Sequence, residues 1–147
     1  MKIRVARGDD IGELIAAYEW LFAPPGSQPS SWDPERATER LRGAIEADGA
    51  EVIVAEEDGA IAGFFTIYDD IESVRFGRRA WVEDLAVDPE QRSRGIGKAL
   101  IAAAKDWARD HGCSHLELDS GLARTDAHRF YEREGAAKAS YSFGWEL

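Results

Sequence analysis

A buried strand, a sharp turn and a glycine-rich helix start follow one another in residues 82–100, and this succession constrains the fold more than any other segment. The apolar run that ends in Leu85, Ala86 and Val87 predicts a buried strand, and the Asp-Pro pair after it predicts the turn. Apolar residues at helical spacing then predict a helix from about residue 95 to residue 111. The segment therefore predicts a helix N-terminus beside the end of a strand.

The residues between this turn and this helix are basic, although the 147-residue chain has a formal charge of −10. The first backbone N–H groups of a helix have no partner within it, and the helix dipole adds roughly half a positive charge there. A glycine leaves that backbone open to an anion. The sequence therefore predicts phosphate contacts from Arg92, Ser93, Arg94, Gly95, Ile96, Gly97 and Lys98.

Two common phosphate-binding patterns do not match this segment. The P-loop requires a glycine where Arg92 stands and Ser or Thr where Ala99 stands. The dinucleotide fingerprint requires a third glycine where Leu100 stands. A plain turn before a helix remains an alternative explanation for the two glycines. What distinguishes the segment is the spacing Arg-x-x-Gly-x-Gly over residues 92–97, directly after a buried strand.

Strands and helices are predicted along the whole chain. The Glu57-Asp58-Gly59 turn predicts a hairpin between two of the strands, and a polar connection is predicted after residue 69. Strands are predicted at residues 2–6, 51–56, 60–69, 79–87, 115–119 and 137–146, and helices at residues 9–21, 34–48, 95–111 and 126–134. The length suits one domain that spans residues 1–147.

This order and the Arg-x-x-Gly-x-Gly spacing resemble the GNAT superfamily of acyltransferases, which binds acetyl-CoA at this motif. A second match is Ala127-x-x-Phe130-Tyr131, because many members carry these residue types at this spacing. The resemblance implies an α/β (α+β) fold with a mixed, mostly antiparallel central sheet of six to seven strands, flanked by four helices. It also implies an enzyme that moves an acetyl group from acetyl-CoA, its cosubstrate, to an amine.

The resemblance implies roles in this reaction for three side chains. In the family, the tyrosine that matches Tyr131 protonates the departing thiolate, whose ordinary pKa of about 8.5 suits such a transfer. Several members use a carboxylate on the fourth strand as the base, and Glu83 and Asp84 occupy that strand. Because strand neighbours alternate between faces, only one is expected to face the acceptor. We expect Glu83 to be the base, with Asp84 as the second candidate. Trp81 stands where members often have a further glutamate, so that position supplies no carboxylate here.

The same resemblance implies further cofactor contacts. The backbone of Leu85, Ala86 and Val87 is expected to pair with the pantetheine arm and to polarise the thioester carbonyl. Arg124 stands where members often have an asparagine that holds the cofactor, and a guanidinium is able to reach a phosphate instead. Cys113 lies outside these motifs, so a covalent route through its thiol is not expected.

Composition and charge indicate the cellular compartment of the protein and the classes of partner that it favours. Residues 51–90 contain eleven acids and three arginines, which disfavours nucleic acid and favours a cationic acceptor. One cysteine and three dispersed histidines predict neither a disulfide nor a metal site. No apolar run approaches the roughly 20 residues that cross a bilayer. We therefore predict a cytoplasmic protein with no membrane contact and no metal.

The loop between the first two helices borders the acceptor pocket in the family, and its residues here are aromatic. The sequence therefore predicts an apolar wall of Trp20, Phe22 and Trp32, with an acidic rim of Asp69, Asp70 and Glu72. Plain core packing is the alternative role for these aromatic residues.

Together these features predict direct N-acetylation of a primary amine on a small, cationic molecule. Two alternatives remain: acetylation of a protein lysine or N-terminus, and a non-catalytic acyl-CoA-binding module. The oligomeric state is left open, with a homodimer as one outcome.

Overall fold

One open sheet organises the protein. The computed structural model describes residues 1–147 except for the side chain of Asp70, so the predicted place of Asp70 at the acceptor rim lies outside what it describes. The strands are β1 (Lys2–Val5), β2 (Ala50–Glu57), β3 (Ala60–Ser73), β4 (Gly77–Val87) and β5 (His115–Leu118). They lie side by side in chain order; the first four are antiparallel, and β5 runs parallel to β4.

The helices pack on both faces of this sheet. They are α1 (Ile11–Ala17), α2 (Glu19–Phe22), α3 (Pro34–Glu46), α4 (Ile96–Asp110) and α5 (Thr125–Arg133), with short 3-10 turns at Gly8–Asp10 and Pro89–Gln91. All four predicted helical segments are present, and the first is divided at Tyr18 into α1 and α2. The predicted fold class, a mixed and mostly antiparallel sheet between helices, is confirmed.

Two apolar layers hold the helices against the sheet. On one face Leu14 and Leu41 pack against inward residues of β2 and β3. On the other face α4 packs against β3 and β4 through Leu100 and its neighbours. Each fully buried side chain of this size contributes about 1.5–3 kcal/mol. α4 lies so close that a Cβ atom at Gly63 would be only 3.0 Å from both Ile96 Cγ2 and Leu100 Cδ1.

Two parts of the predicted secondary structure are wrong. The polar connection expected after residue 69 is strand, since β3 continues to Ser73 and β4 begins at Gly77. Glu72 lies opposite Arg78 across this hairpin, and their side chains form an ion pair at 3.0 Å, so charged residues here pair across strands rather than forming a loop.

The predicted last strand, residues 137–146, is irregular and exposed. A strand requires a hydrogen-bonded neighbour, which a residue pattern alone does not supply. The described sheet therefore has five strands, not six to seven.

Candidate active site

An open cleft of about 1260 Å³ lies where β4 and β5 separate. β5 pairs only with residues Arg79–Val82 of β4, whereas β4 continues to Val87. Beyond Val82, β4 therefore presents the backbone of its second half to the cleft. The cleft is lined by all the predicted site residues except Arg94, namely Glu83, Asp84, Leu85, Ala86, Val87, Arg92, Ser93, Gly95, Ile96, Gly97, Lys98, Arg124 and Tyr131.

The N-terminus of α4 opens into this cleft. Its first turn contains no acidic residue, and within the described residues no side chain caps its N–H groups. Gly95 precedes the helix with φ of 81°, in the left-handed region that favours glycine. Unpaired N–H groups at the start of a 15-residue helix, with Arg92 and Lys98 beside them, fit an anionic ligand.

Gly97 serves a purpose that sequence reasoning did not identify. A Cβ atom at this position would lie 3.1 Å from Cζ of Phe130, so the glycine lets α5 approach α4. Arg94 does not line the cleft, and its Nη1 donates a hydrogen bond to Gln91 Oε1 at 3.0 Å. Its contact with the cofactor stays a prediction.

Glu83 and Asp84 both line the cleft, and β4 is irregular between them. Asp84 lies opposite Thr66 and Val82 opposite Ile67, so Glu83 is the extra residue of a bulge. The alternation expected of a regular strand is interrupted there. Both residues line the cleft, and which of the two carboxylates faces the acceptor stays a prediction.

Asp84 is the more enclosed of the two acids. The hydroxyl of Tyr18 donates a hydrogen bond to Asp84 Oδ2 at 2.7 Å, and the backbone N–H of Asp84 donates to Thr66 Oγ1 at 3.1 Å. Burial raises the pKa of the Asp84 carboxyl, and the nearby charge of Glu83 adds to that rise, whereas the hydrogen bond from Tyr18 opposes it. A carboxylate with a raised pKa is a suitable proton acceptor near neutral pH.

Glu83 has a different environment. Its side chain is exposed, and its Oε2 accepts a hydrogen bond from Trp81 Nε1 at 2.6 Å. Trp81, which lies on the same strand, therefore orients the carboxylate of Glu83, the base that the sequence favoured. The two neighbouring acids thus differ in burial and in the group that orients each of them.

Tyr131 and Arg124 lie on the α5 side of the cleft. Burial raises the pKa of the Tyr131 hydroxyl, and the charge of Arg124 opposes that rise, so Tyr131 is a neutral O–H donor at neutral pH. Arg124 Nη2 donates to the carbonyl oxygen of Leu21 at 2.8 Å and thereby joins α5 to the end of α2. The guanidinium predicted to reach a phosphate has a protein partner in this structure, and the phosphate contact stays a prediction.

The predicted aromatic wall is present, with a fourth member that sequence reasoning missed. Trp20, Phe22 and Trp32 line the cleft, and Tyr18 joins them, with its ring centroid 5.4 Å from that of Trp32. Phe22 and Trp32 meet edge to face at 4.8 Å. Nothing in the helical spacing around Tyr18 pointed to a partner 66 residues away.

The described part of the predicted acidic rim is not at this cleft. Asp69 and Glu72 do not line it, and their carboxylates lie 4.0 and 3.0 Å from Arg78 in the hairpin. The acids beside the aromatic wall are instead Glu83 and Asp84.

One buried group of the cleft lacks a partner. The hydroxyl oxygen of Ser120, just after β5, is enclosed and makes no hydrogen bond to the described residues. An orphaned polar atom on the wall of a cleft fits a ligand that carries polar groups along its length. In the same described part of the chain, no helix is long and apolar enough to cross a membrane, and no cluster of three metal-ligating side chains occurs.

Comparison with known proteins agrees with this geometry. Residues 14–136 match the model of the acetyltransferase (GNAT) family. The uncharacterized N-acetyltransferase YhdJ of Bacillus subtilis (strain 168) is 32% identical over 134 residues, which cover 89% of this chain and 94% of that protein. An aminoglycoside N(6')-acetyltransferase type 1 of Stenotrophomonas maltophilia is 31% identical over 116 residues, covering 76% and 74% of the two chains.

A solved structure shows the same fold. The aminoglycoside N-acetyltransferase AAC(6')-Iy in complex with CoA superposes with a TM-score of 0.83 at 19% identity, covering 99% of this chain and 93% of that chain.

Proposed function

Because this chain belongs to the acetyltransferase (GNAT) family, we propose that it transfers an acetyl group from acetyl-CoA directly to the primary amine of a small, cationic acceptor. Membership makes it an acetyl-CoA-dependent N-acetyltransferase, as the sequence predicted, rather than a non-catalytic binding module. The acceptor class, the direct route and the roles of individual residues are the proposal. The single domain, the cytoplasmic location and the exclusion of nucleic acid stay predictions.

One observation carries the proposal: a single cleft combines an anion-binding helix start with an aromatic wall and two carboxylates. The α4 N-terminus, with Arg92 and Lys98, suits the phosphates of the cosubstrate. The free backbone of β4 beyond Val82 suits the amide groups of a pantetheine arm. Acetyl-CoA supplies the activated acyl group when it is bound, and the residues of this chain orient it and move the protons.

We assign the base to Asp84, which reverses the order that the sequence suggested. An alkylammonium has no lone pair, so it must lose a proton before its nitrogen attacks the carbonyl carbon. Asp84 has a raised pKa and a position held by Tyr18, whereas Glu83 is exposed and bonded to Trp81. Asp84 therefore accepts this proton, and the exposed Glu83 attracts the ammonium group.

Tyr131 completes the proton transfers. As the new C–N bond forms and the C–S bond breaks, the sulfur departs as a thiolate that needs a proton. The Tyr131 hydroxyl keeps its proton at neutral pH because burial raises its pKa, and it lines the same cleft. Tyr131 therefore donates this proton in our scheme, while backbone N–H groups of β4 stabilise the oxygen that gains charge.

The acceptor half of the cleft favours an amine with apolar surface. Phe22 and Trp32 meet edge to face at 4.8 Å, and Trp20 lines the same cleft, which Glu83 and Asp84 also line. A cationic amine gains about 0.5–2 kcal/mol from each such aromatic face. The match to an aminoglycoside acetyltransferase supports a small amine acceptor over a protein.

A transfer assay with a graded acceptor panel tests this function. The panel contains an arylalkyl amine, an aliphatic diamine, an aminoglycoside and a peptide with a free N-terminus and a lysine. Thiol release and the mass gain of one acetyl group are measured together. We expect the arylalkyl amine to have the highest kcat/KM, and transfer to the peptide alone would contradict the proposal.

Tyr131→Phe is the matched control for this assay. It keeps the ring and removes the hydroxyl, so acetyl-CoA affinity should remain unchanged while kcat falls about 10²-fold. Calorimetric titration with acetyl-CoA measures the affinity independently of the acceptor. An unchanged kcat would remove Tyr131 from the scheme without removing the enzyme class.

A further inference from the structure

Arg124 joins two elements that line the cleft. Its backbone begins α5, because its N–H donates to the carbonyl oxygen of Gly121 at 3.0 Å and its carbonyl oxygen accepts the N–H of His128 at 3.1 Å. Its side chain extends away from α5, and Nη2 donates to the carbonyl oxygen of Leu21 at 2.8 Å. One side chain, held at its base by α5, therefore bonds the backbone of α2.

Leu21 lies between two members of the aromatic wall. Trp20 precedes it and Phe22 follows it on α2, which has only four residues. The last carbonyl groups of a helix have no partner within it, and so short a helix has little stability of its own. A partner from outside α2 therefore helps to determine where Trp20 and Phe22 lie.

The loop after α2 closes over this hydrogen bond. A Cβ atom at Gly26 would lie 1.9 Å from the carbonyl oxygen of Leu21 and 2.4 Å from Arg124 Nη2. These distances leave no room for a side chain, so the backbone at Gly26 packs directly on the bonded pair. The same loop continues to Trp32, which meets Phe22 edge to face. The Arg124–Leu21 bond is therefore partly buried beneath the loop that carries the rest of the wall.

This bond belongs to the acceptor half of the cleft. The side chains that we assign to the phosphates, Arg92 and Lys98, lie at the start of α4. Arg124 instead precedes Tyr131 by seven residues, about two helical turns, and positions at this spacing share one face of a helix. The charge of Arg124 opposes the rise that burial causes in the pKa of Tyr131, so the two groups interact. Arg124 thus connects the proposed proton donor to the aromatic wall.

Resting on the proposed function, we propose that Arg124 is a positioning residue for the acceptor and not a phosphate ligand. By holding the carbonyl oxygen of Leu21, it fixes Trp20 and Phe22 relative to Tyr131 and so sets the width of the acceptor half of the cleft. The bond to Leu21 persists when acetyl-CoA is bound. A hydrogen bond from a charged donor contributes about tenfold or more to an equilibrium, which is enough to hold a short helix in place.

Steady-state kinetics with the best acceptor of the panel test this role. Arg124→Met keeps an unbranched stem and removes the charge and the donors, so the acceptor KM should rise about tenfold while kcat falls less than about threefold. The acetyl-CoA dissociation constant from calorimetric titration should stay within about twofold of wild type. Arg124→Lys keeps a charged donor and should restore the acceptor KM to within about threefold of wild type.

Two further variants calibrate these measurements. Arg109→Met changes an exposed arginine on α4 that does not line the cleft, and it should leave both constants unchanged. Arg92→Gln should raise the acetyl-CoA dissociation constant, as the loss of a phosphate contact does. If Arg124→Met raised that constant fivefold or more, Arg124 would be a cofactor ligand. If it lowered only the melting temperature and left the acceptor KM unchanged, Arg124 would be purely structural. Either result would overturn the proposal.

Hydrogen–deuterium exchange tests the Arg124–Leu21 bond without any acceptor. The N–H groups of Ala23 and Gly26 bond to the carbonyl oxygens of Glu19 and Ala23 beside Leu21. They should exchange about tenfold faster in Arg124→Met than in wild type, with and without acetyl-CoA. Equal exchange in the two proteins, or faster exchange when acetyl-CoA is added to wild type, would contradict the proposal. Failure of the proposed function would appear separately, as no acetyl transfer to any member of the panel.

Discussion

Asp10 and Asp84 are both shielded from solvent, yet their pKa values move in opposite directions. Arg4 donates to both carboxylate oxygens of Asp10, at 2.8 and 2.9 Å, and these bonds lower the pKa of Asp10 to about 2. Asp84 is bonded by the neutral hydroxyl of Tyr18, and burial raises its pKa. A cationic partner locks a carboxylate in its charged form, whereas a neutral partner leaves it able to take up a proton.

The positions of the two residues agree with this difference. Asp10 caps the 3-10 turn before α1 by accepting the N–H of Arg7 at 2.7 Å, and it does not line the cleft. Arg4 also donates to Glu56 at 2.7 Å and so ties β1 to β2. Asp84 lies at the bulge of β4, inside the cleft. We therefore expect the first carboxylate to contribute to stability and the second to serve in the proposed reaction.

Replacing Asp84 should have the largest effect. Asp84→Asn keeps the shape and removes the proton acceptor, so kcat should fall by about 10²–10³-fold and the acidic limb of the pH–rate profile should disappear. Initial rates from acidic to alkaline pH measure both. Glu83→Gln is the matched control and should lower kcat by less than about threefold. A larger loss in Glu83→Gln would restore Glu83 as the base.

Replacing Asp10 should lower stability and leave catalysis intact. Asp10→Asn weakens the bonds to Arg4 and should reduce the free energy of unfolding at pH 7 by about 1–3 kcal/mol, with kcat unchanged. Because folding lowers the pKa of Asp10, its ionised carboxylate stabilises the fold at pH values above the ordinary pKa of 3.8. This stabilisation is lost as the pH falls toward about 2. The difference between variant and wild type should therefore shrink over that interval.

Urea titrations at several pH values measure this dependence. Asp9→Asn, at the exposed neighbour, is the control that should leave the unfolding free energy within about 0.5 kcal/mol of wild type. If Asp10→Asn changed kcat at a temperature where both proteins are folded, Asp10 would contribute to catalysis as well as to stability, and the expected difference between the two aspartates would be wrong.

Removing the partner of Asp84 should have the smallest effect. The Tyr18 hydroxyl stabilises the charged carboxylate, so Tyr18→Phe should raise the pKa of Asp84 further and move the acidic limb to higher pH. At pH values below this limb, kcat should fall about fivefold, a factor that corresponds to the free energy of one modest hydrogen bond. Tyr141→Phe, in the C-terminal segment, should leave the limb in place. An unshifted limb in Tyr18→Phe would show that Tyr18 does not position the base.

The helix start that we propose as the phosphate site was predictable because its determinants are neighbours along the chain. A strand end, a turn and a helix start within residues 82–100 create the unpaired N–H groups and place Arg92 and Lys98 beside them. The acceptor half was not predictable to the same degree. The identity of Trp20, Phe22 and Trp32 as a wall was predicted, whereas the acidic rim was placed on the wrong strand residues.

The sequence by itself determined most of the helices and strands and the helix start beside Arg92 and Lys98 at the end of a buried strand, because helix starts, turns and apolar periodicity are local properties. The tertiary structure alone decided that β4 has a bulge at Glu83 and that Tyr18 holds Asp84 from 66 residues away. It also decided that residues 137–147 lie outside the sheet of their own chain. Register, burial and pairing depend on which surfaces meet, and no spacing along the chain encodes that.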